Sequence, residues 1–536
     1  MVRATYKGIA RMSLVKSTST VAFFTLLSRI SGFLRDIMMA NLIGASWYSD
    51  AFFVAFKLPN FFRRLFAEGA FNVAFIPSFS GRLATDGKNE ALRFAGEVMS
   101  VLLLVLLILN AIFILFMPQI TPLFAPGFAT TPEKFDLTVL LSKITFPYIL
   151  FISLVSLLGG VLNSFGKFAA PAASPILLNL CMIVGMLYTT HTHHGDLALA
   201  SAHSLSWAVL AAGYVQLAWL AAICLRNDML PGLFLPRFTP AVKRMLLLMA
   251  PAALGSGVQQ LNLLVDVIIA SHIPNAVSYL YYADRITELP IGMIGVAVAT
   301  VLLPTLSRQL KSDDHDAARA SMNRALELVL LFGLPATAGC MLIAEPIIRV
   351  LYLHGHFTDL DMVATRATLV AFGAGLPAFL AVKVFAPGFY ANQDTKTPFK
   401  IAILCVVVNL FFNLTLSGPM RQVGMATATT IASWVNLGLM AGILYKRGVF
   451  IPDALLKKRL SRLLAATGVM SIALLMVTPI AMPMLLGHMA EKTAGLIAII
   501  GVAGIVFFIT AMALGAYDSA FLHRILKRKP YSEKAR

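Results

Sequence analysis

Charge is scarce in this chain: 13% of its 536 residues are Asp, Glu, Lys or Arg, against 58% hydrophobic, and the mean hydropathy is +0.81. A soluble protein of this length cannot carry so apolar a composition, so that class is excluded and a polytopic membrane protein is implied. Cysteine is rarer still. Cys181, Cys224, Cys340 and Cys405 fall in or beside apolar runs with no paired spacing, which argues against disulfides and thiolate metal sites and leaves packing as their role. No Walker A sequence is present, so ATP hydrolysis is not done by this chain, and Gly159, Gly160 and Gly166 match no phosphate loop. Carboxylates do not cluster either. Asp36, Asp50 and Asp266 are scattered, so the magnesium ligands of a prenyl-processing enzyme are missing and no enzymatic activity is expected. His191, His193 and His194 have a ligand-like spacing, but in a connection between apolar runs they read as solvated side chains. The basic start, Met1 to Thr18, leads into an apolar run that holds arginines and no small-residue cleavage site, so a first spanning helix is expected rather than a signal peptide.

What is abundant is apolar runs of crossing length. They lie near 18–42, 50–80, 95–118, 137–162, 170–190, 202–224, 245–271, 276–306, 325–350, 365–390, 398–417, 423–445, 463–486 and 493–516, which predicts fourteen transmembrane helices in an all-α fold. Of the 43 Lys and Arg, eight lie deep inside these runs and five (Lys134, Arg349, Arg366, Arg421, Lys492) in or at the edge of the odd-numbered connections; the other thirty lie in or at the edge of the even-numbered connections and at both termini. That bias predicts cytoplasmic termini. Basic loops beside anionic headgroups also account for most of the net charge of +18, so nucleic acid is not expected as a partner.

The chain also repeats itself with an offset of about 230 residues. Asp36 and Ala40 align with Asp266 and Ala270, Pro147 with Pro377, Asn179-Leu180 with Asn409-Leu410, and, with a small gap, Ile76-Pro77 with Leu303-Pro304. The same offset carries helices 1–6 onto helices 7–12 in the same orientation, so two pseudo-symmetric six-helix lobes are expected, 1–230 and 231–450, with an inter-lobe cavity for a substrate. Residues 451–536 add helices 13 and 14 and a basic tail.

Cations inside apolar runs carry the functional signal. Arg29, Arg35, Arg63, Arg64 and Arg285, with Lys57, would each cost roughly 2.5–3.5 kcal/mol if they faced lipid at mid-bilayer, so they are expected to face protein or a wet cavity. At 3.6 residues per turn, Arg29 and Asp36 share a face while Arg35 is turned about 120° away. Pro59 is expected to open or kink its helix, having no amide proton. Glu68, four residues after Arg64, and Glu288, three after Arg285, are candidate counter-charges. On the first two helices the cations still outnumber Asp36, Asp50 and Glu68 by two. An anionic ligand would balance that excess, and guanidinium favours phosphate or pyrophosphate through bidentate geometry. The bland alternative is that all these charges are interhelical glue.

Ser28-Arg29 through Arg35-Asp36, Asp50 through Asn60 with Arg63-Arg64, and Phe66-Ala67-Glu68-Gly69-Ala70-Phe71 closely resemble the MurJ/MviN lipid II flippases of the bacterial cytoplasmic membrane. The resemblance continues through Ala125-Pro126-Gly127-Phe128, Lys143 to Tyr148, Tyr281 to Arg285, Ala386 to Tyr390 and Asp394 to Pro398. It implies the two-lobed MOP-exporter architecture and alternating-access movement of undecaprenyl-pyrophosphate-linked MurNAc-pentapeptide-GlcNAc to the outer leaflet of the inner membrane. It also implies Arg29, Arg35, Arg63 and Arg285 as cavity arginines, with Arg35, Arg63 and Arg285 gripping the pyrophosphate, Asp50 as the important carboxylate, and helices 13 and 14 as a groove for the polyprenyl tail. Energy coupling is implied to run on membrane potential or on sodium, for which Asp266 and Asp394 are the candidate ligands; no other cofactor is expected. Both lobes lie in one chain, so a monomer is the simplest assembly, among membrane lipids and near the cell-wall synthesis machinery. The runner-up is another MOP-type exporter, for a different polyprenyl-pyrophosphate-linked oligosaccharide.

Overall fold

The computed structural model describes residues 2–64 and 71–516, with side chains for all of these except 2–19, 250–256, 258, 259, 296 and 297. Glu68 and the rest of 65–70 therefore lie outside the described residues, as does the basic tail beyond 516. Regular structure among the described residues is helical throughout. The first elements are α1 (Val2–Ile43), α2 (Trp47–Phe62), α3 (Phe71–Thr85), α4 (Gly87–Leu115), α5 (Met117–Phe124), α6 (Pro132–Thr145), α7 (Tyr148–Ser164), α8 (Ala169–Thr192), α9 (Leu197–Arg226) and α10 (Pro240–Ala270). They are followed by α11 (Ala276–Pro290), α12 (Val296–Lys311), α13 (His315–Leu342), α14 (Ala344–Leu351), α15 (Asp359–Gly373), α16 (Leu376–Ala391), α17 (Lys396–Lys446), α18 (Ala454–Leu486) and α19 (Met489–Ala513).

Starts are set by short polar caps, since the first turn of a helix has amides with no partner inside it. Ser46 and Ser49 exchange bonds as a capping box on α2, Asp196 accepts from Ala198 and Leu199 on α9, and Thr239 accepts from Val242 on α10 just ahead of Pro240. Proline divides two long crossings. Pro147 starts α7 after α6, and Pro377 stands in the first turn of α16 after α15, so one pair of repeat-related positions occupies like settings.

Ten helical stretches are long and apolar enough to cross a membrane, by length and composition, among the described residues. The expected count of fourteen is not reached by that measure. The stretch Lys396–Lys446 counts once although it covers both 398–417 and 423–445; its helix breaks at Arg421, where φ is 53° and ψ is −134°. The runs 18–42, 50–80 and 245–271 are not among the ten, although α1, α2 with α3, and α10 lie over them.

The chain divides into two compact units, Met1–Ser278 with His354–Thr358, and Tyr279–Leu353 with Asp359–Arg536. The lobe boundary expected at 230 falls inside the first unit, because α10 packs on α3, α4 and α5. That unit's main core joins α3, α4, α7 and α9 through Phe75, Phe79, Phe94, Leu158, Leu162 and Leu220. In the second unit, α12, α13, α16 and α17 share Val329, Leu380, Val384, Phe385 and Met440. There α18 and α19 pack on each other and on α13 through Leu331, Leu463, Met470, Ile499 and Phe507, while Ile472, Met476, Ile480, Ile497 and Ile505 stay exposed on an apolar outer face.

Candidate functional site

In the first unit four charged side chains, Arg35, Asp36, Asp50 and Lys134, form two buried networks. The first joins α1 to α8. Arg35 is 5% exposed and Asp36 2%; Arg35 donates from Nη2 and Nε to Asp36 Oδ1 at 2.7 and 3.0 Å, and from Nη1 to Asn179 Oδ1 at 3.0 Å. Asn179 returns its Nδ2 protons to Ser28 O and Ser31 Oγ at 2.9 and 3.0 Å. Gly32 leaves room for this approach: a Cβ there would stand 3.3 Å from Asn179 Nδ2 and press on the amide that makes these bonds. The consequence for charge is direct. Asp36 is satisfied by its immediate neighbour, and Arg29, half-buried one helix face away from Arg35, has no hydrogen bond or ion pair among the described residues. Lys143, half-buried in the last turn of α6, has none either.

The second network is centred on Asp50 in the first turn of α2. Asp50 is fully buried, and its Oδ2 accepts from Lys134 Nζ at 2.7 Å. Its Oδ1 accepts from the backbone N–H and hydroxyl of Ser278 at 2.9 and 2.6 Å, and the Ser278 hydroxyl also lies 2.8 Å from Ser49 Oγ. Lys134, 7% exposed, stacks its ammonium 3.9 Å from the Phe128 ring centre. Counting Lys134 with an extracytoplasmic connection misses this. The signal that finds it is periodicity: Lys134, Leu137, Thr138, Leu141, Ser142 and Thr145 recur at helical spacing and are all buried, so Lys134 belongs to the inward face of α6.

Further along α2, the helix continues through Pro59 rather than opening there. The carbonyl that Pro59 cannot serve is that of Ala55, four residues back, and Thr145 Oγ1 from α6 donates to it at 2.8 Å. Among the described residues of this stretch, the pattern changes from α to π at Arg63 and Arg64. Arg63 is half-buried, with Nε on Asn60 Oδ1 at 3.0 Å; Lys57 and Arg64 are exposed.

In the second unit, Arg285 on α11 donates from Nη1 to Glu288 Oε2 at 2.6 Å, the partner its spacing suggests, and lies over Tyr281 at 4.7 Å from the ring centre. Both partners are partly exposed. Of the two candidate sodium ligands, Asp266 is half-buried on α10 in the first unit and Asp394 precedes α17 in the second. Asp394 Oδ1 accepts from Thr397 N at 2.9 Å and Oδ2 from Arg447 Nη1 at 2.6 Å. The hydrogen bonds from Thr397, and then Arg447, hold its carboxyl well below the usual carboxylate range.

The chemistry on offer is anion binding by guanidinium inside apolar helices, with the buried Asp36 and Asp50 of the first unit already neutralised by protein cations. The fold is shared with a solved structure described as the inward-facing conformation of a multidrug resistance MATE family transporter of the MOP superfamily, which superposes with a TM-score of 0.65 at 16% identity, covering 78% of this chain and 94% of that one. A family model described as Lipid II flippase MurJ matches residues 39–494. A Rhizobium tropici protein named probable lipid II flippase MurJ is 42% identical over 522 residues, 97% of each chain. The structure of a lipid II flippase MurJ in an inward closed conformation superposes with a TM-score of 0.75 at 26% identity, over 95% of this chain and 99% of that one. This chain belongs to the lipid II flippase MurJ family.

Proposed function

We propose that this protein carries lipid II across the cytoplasmic membrane by alternating access, both termini lying in the cytoplasm. The observation that carries the reading is the state of the charges on α1 and α2. Asp36 and Asp50 are each committed to a protein cation, Arg35 and Lys134, so neither balances Arg29, which sits in an apolar helix with no protein counter-charge among the described residues. A pyrophosphate anion supplies that counter-charge, and its oxygens match guanidinium geometry. Arg29, Arg63 and Arg285, all partly exposed, are assigned to the pyrophosphate. Arg35 serves by holding α1 on α8, and Asp50 by the network it anchors. The exposed apolar face of α18 and α19 suits the polyprenyl tail. One chain provides both units, so the protein acts as a monomer, and none of these groups is assigned a bond-making step. Coupling to sodium at Asp394 would require Arg447 to leave the carboxylate, which makes membrane potential the simpler drive.

The test is depletion of the protein in its bacterium, with lipid II exposure on the outer face of the membrane as readout, complemented by Arg63→Ala and Arg285→Ala. Loss of exposure that wild type restores and the variants do not, at equal protein levels, is the expected result. Unchanged exposure in cells that hold no second flippase would assign the protein a different cargo.

A further inference from the structure

Asp50 is the most deeply buried carboxylate of the first unit, and its whole environment is protein: one oxygen on Lys134, the other on two donors of Ser278. A carboxylate arranged this way has no oxygen turned toward a ligand. Its net charge is cancelled within 2.7 Å by an ammonium that is itself buried and stacked on Phe128. What remains is hydrogen-bond acceptance, and the donor it serves is specific. Ser278 is the third residue of α11, and its amide is among those that a helix cannot satisfy internally. Asp50 therefore acts as a cap supplied from α2, tying the first turn of α11 to α2 and α6. The connection before α11 is anchored on the same side: Ser271 Oγ accepts from Gly127 N at 3.0 Å, beside Phe128. Seven residues beyond Ser278, on the same helix, stands Arg285.

We propose that Lys134 is a positioning residue: by neutralising Asp50 it leaves the carboxylate as the acceptor that pins the first turn of α11, and the pair acts on transport through that helix rather than by touching the substrate. Lone burial of either charge is unfavourable, because an ion stripped of water needs its partner. Removing Lys134 strands an anion that turns toward other donors; removing the charge of Asp50 strands an ammonium. Neutralising both removes the conflict, and the amide oxygen of an asparagine at 50 still accepts from Ser278.

The proposal rests on the flippase reading, so wild-type lipid II transport in vesicles is the first arm; its absence would fail that reading and leave the pair to be judged by stability coupling alone. Lys134→Met, Asp50→Asn and the double variant are then compared, each normalised to folded, monodisperse protein. Each single change is expected to lower transport per folded molecule by about tenfold, and the double variant to transport several times faster than Asp50→Asn. Lys134→Arg, which retains the charge, is expected to stay within a few-fold of wild type. A double variant as slow as Asp50→Asn would overturn the proposal, since the Asp50 charge would then act on substrate or protons directly. Wild-type transport by the folded fraction of both single variants would overturn it too, reducing the pair to a stabilising contact. If the single variants yield no folded protein, Ser278→Ala leaves no buried charge unpaired and removes one of the two donors; about threefold slower transport at normal yield is expected, and undiminished transport sinks the proposal.

Discussion

Two ion pairs of the first unit and two of the second sit in opposite settings. In the first, the side chains of Arg35 and Asp36 are 7% and 2% exposed, and those of Lys134 and Asp50 are 9% and 0%. In the second, Arg285 and Glu288 are 31% and 42% exposed, and Arg447 and Asp394 are 43% and 20%. The difference decides what each arginine is able to do. A buried pair cannot release one member without leaving a bare charge, so Arg35 is fastened to Asp36 and Asn179. A partly exposed pair is worth little by itself and exchanges partners readily, and on the proposed reading Arg285 leaves Glu288 for a phosphate oxygen. The same residue type is thus buried and paired on one helix and partly exposed on another. The cluster in which Glu327 takes both Arg324 and Arg459, with Asp453 completing it, lies between these extremes and ties α18 to α13.

The strongest way to break this contrast is Arg35→Ala. It leaves Asp36 buried without its cation and is expected to cost about 3–5 kcal/mol, seen as loss of folded protein in membranes and a lower unfolding temperature in detergent. Normal yield with abolished transport would instead make Arg35 a ligand residue. Next come Arg29→Ala, Arg63→Ala and Arg285→Ala. Each removes a charge-assisted contact of about 1.5–3 kcal/mol and should slow lipid II transport roughly 10- to 100-fold with yield unchanged. Asn179→Ala sharpens the contrast on the structural side: Arg35 Nη1, Ser28 O and Ser31 lose their partner, for an expected destabilisation of about 1–3 kcal/mol measured by thermal unfolding. The smallest effect is expected at Asp394. Its carboxyl titrates below the ordinary value near 3.9, so the stability it provides is full above about pH 4 and is lost only as pH falls further, through its depressed folded value. Asp394→Asn should therefore cost about 0.2–1 kcal/mol at pH 7, and transport should be insensitive to replacing sodium by potassium. A strong sodium requirement lost in Asp394→Asn would reinstate that residue as an ion ligand.

Much of the fold is legible in local sequence. Apolar runs announce the helices, because a bilayer core demands about 20 apolar residues whatever their neighbours. Arg285 and Glu288, three residues apart, meet because spacing along one helix is enough. Lys134 cannot be paired that way: periodicity turns it to the inward face of α6, but its partner lies 84 residues earlier, beyond the reach of any local pattern. The repeat pairs are visible as isolated identities, and only in the fold do Pro147 and Pro377 take on meaning as the points where α6 gives way to α7 and α15 to α16.

The sequence by itself determined that the chain enters a membrane as helices, which family it joins, and that it carries more cations than an apolar interior tolerates uncompensated. Only the tertiary structure decided which cations are compensated. That choice depends on contacts such as Asn179 with Arg35 and Ser278 with Asp50, separated by 144 and 228 residues. Helical periodicity sets the face a side chain occupies, but packing sets what that face meets, and the desolvation of each charge follows from that meeting.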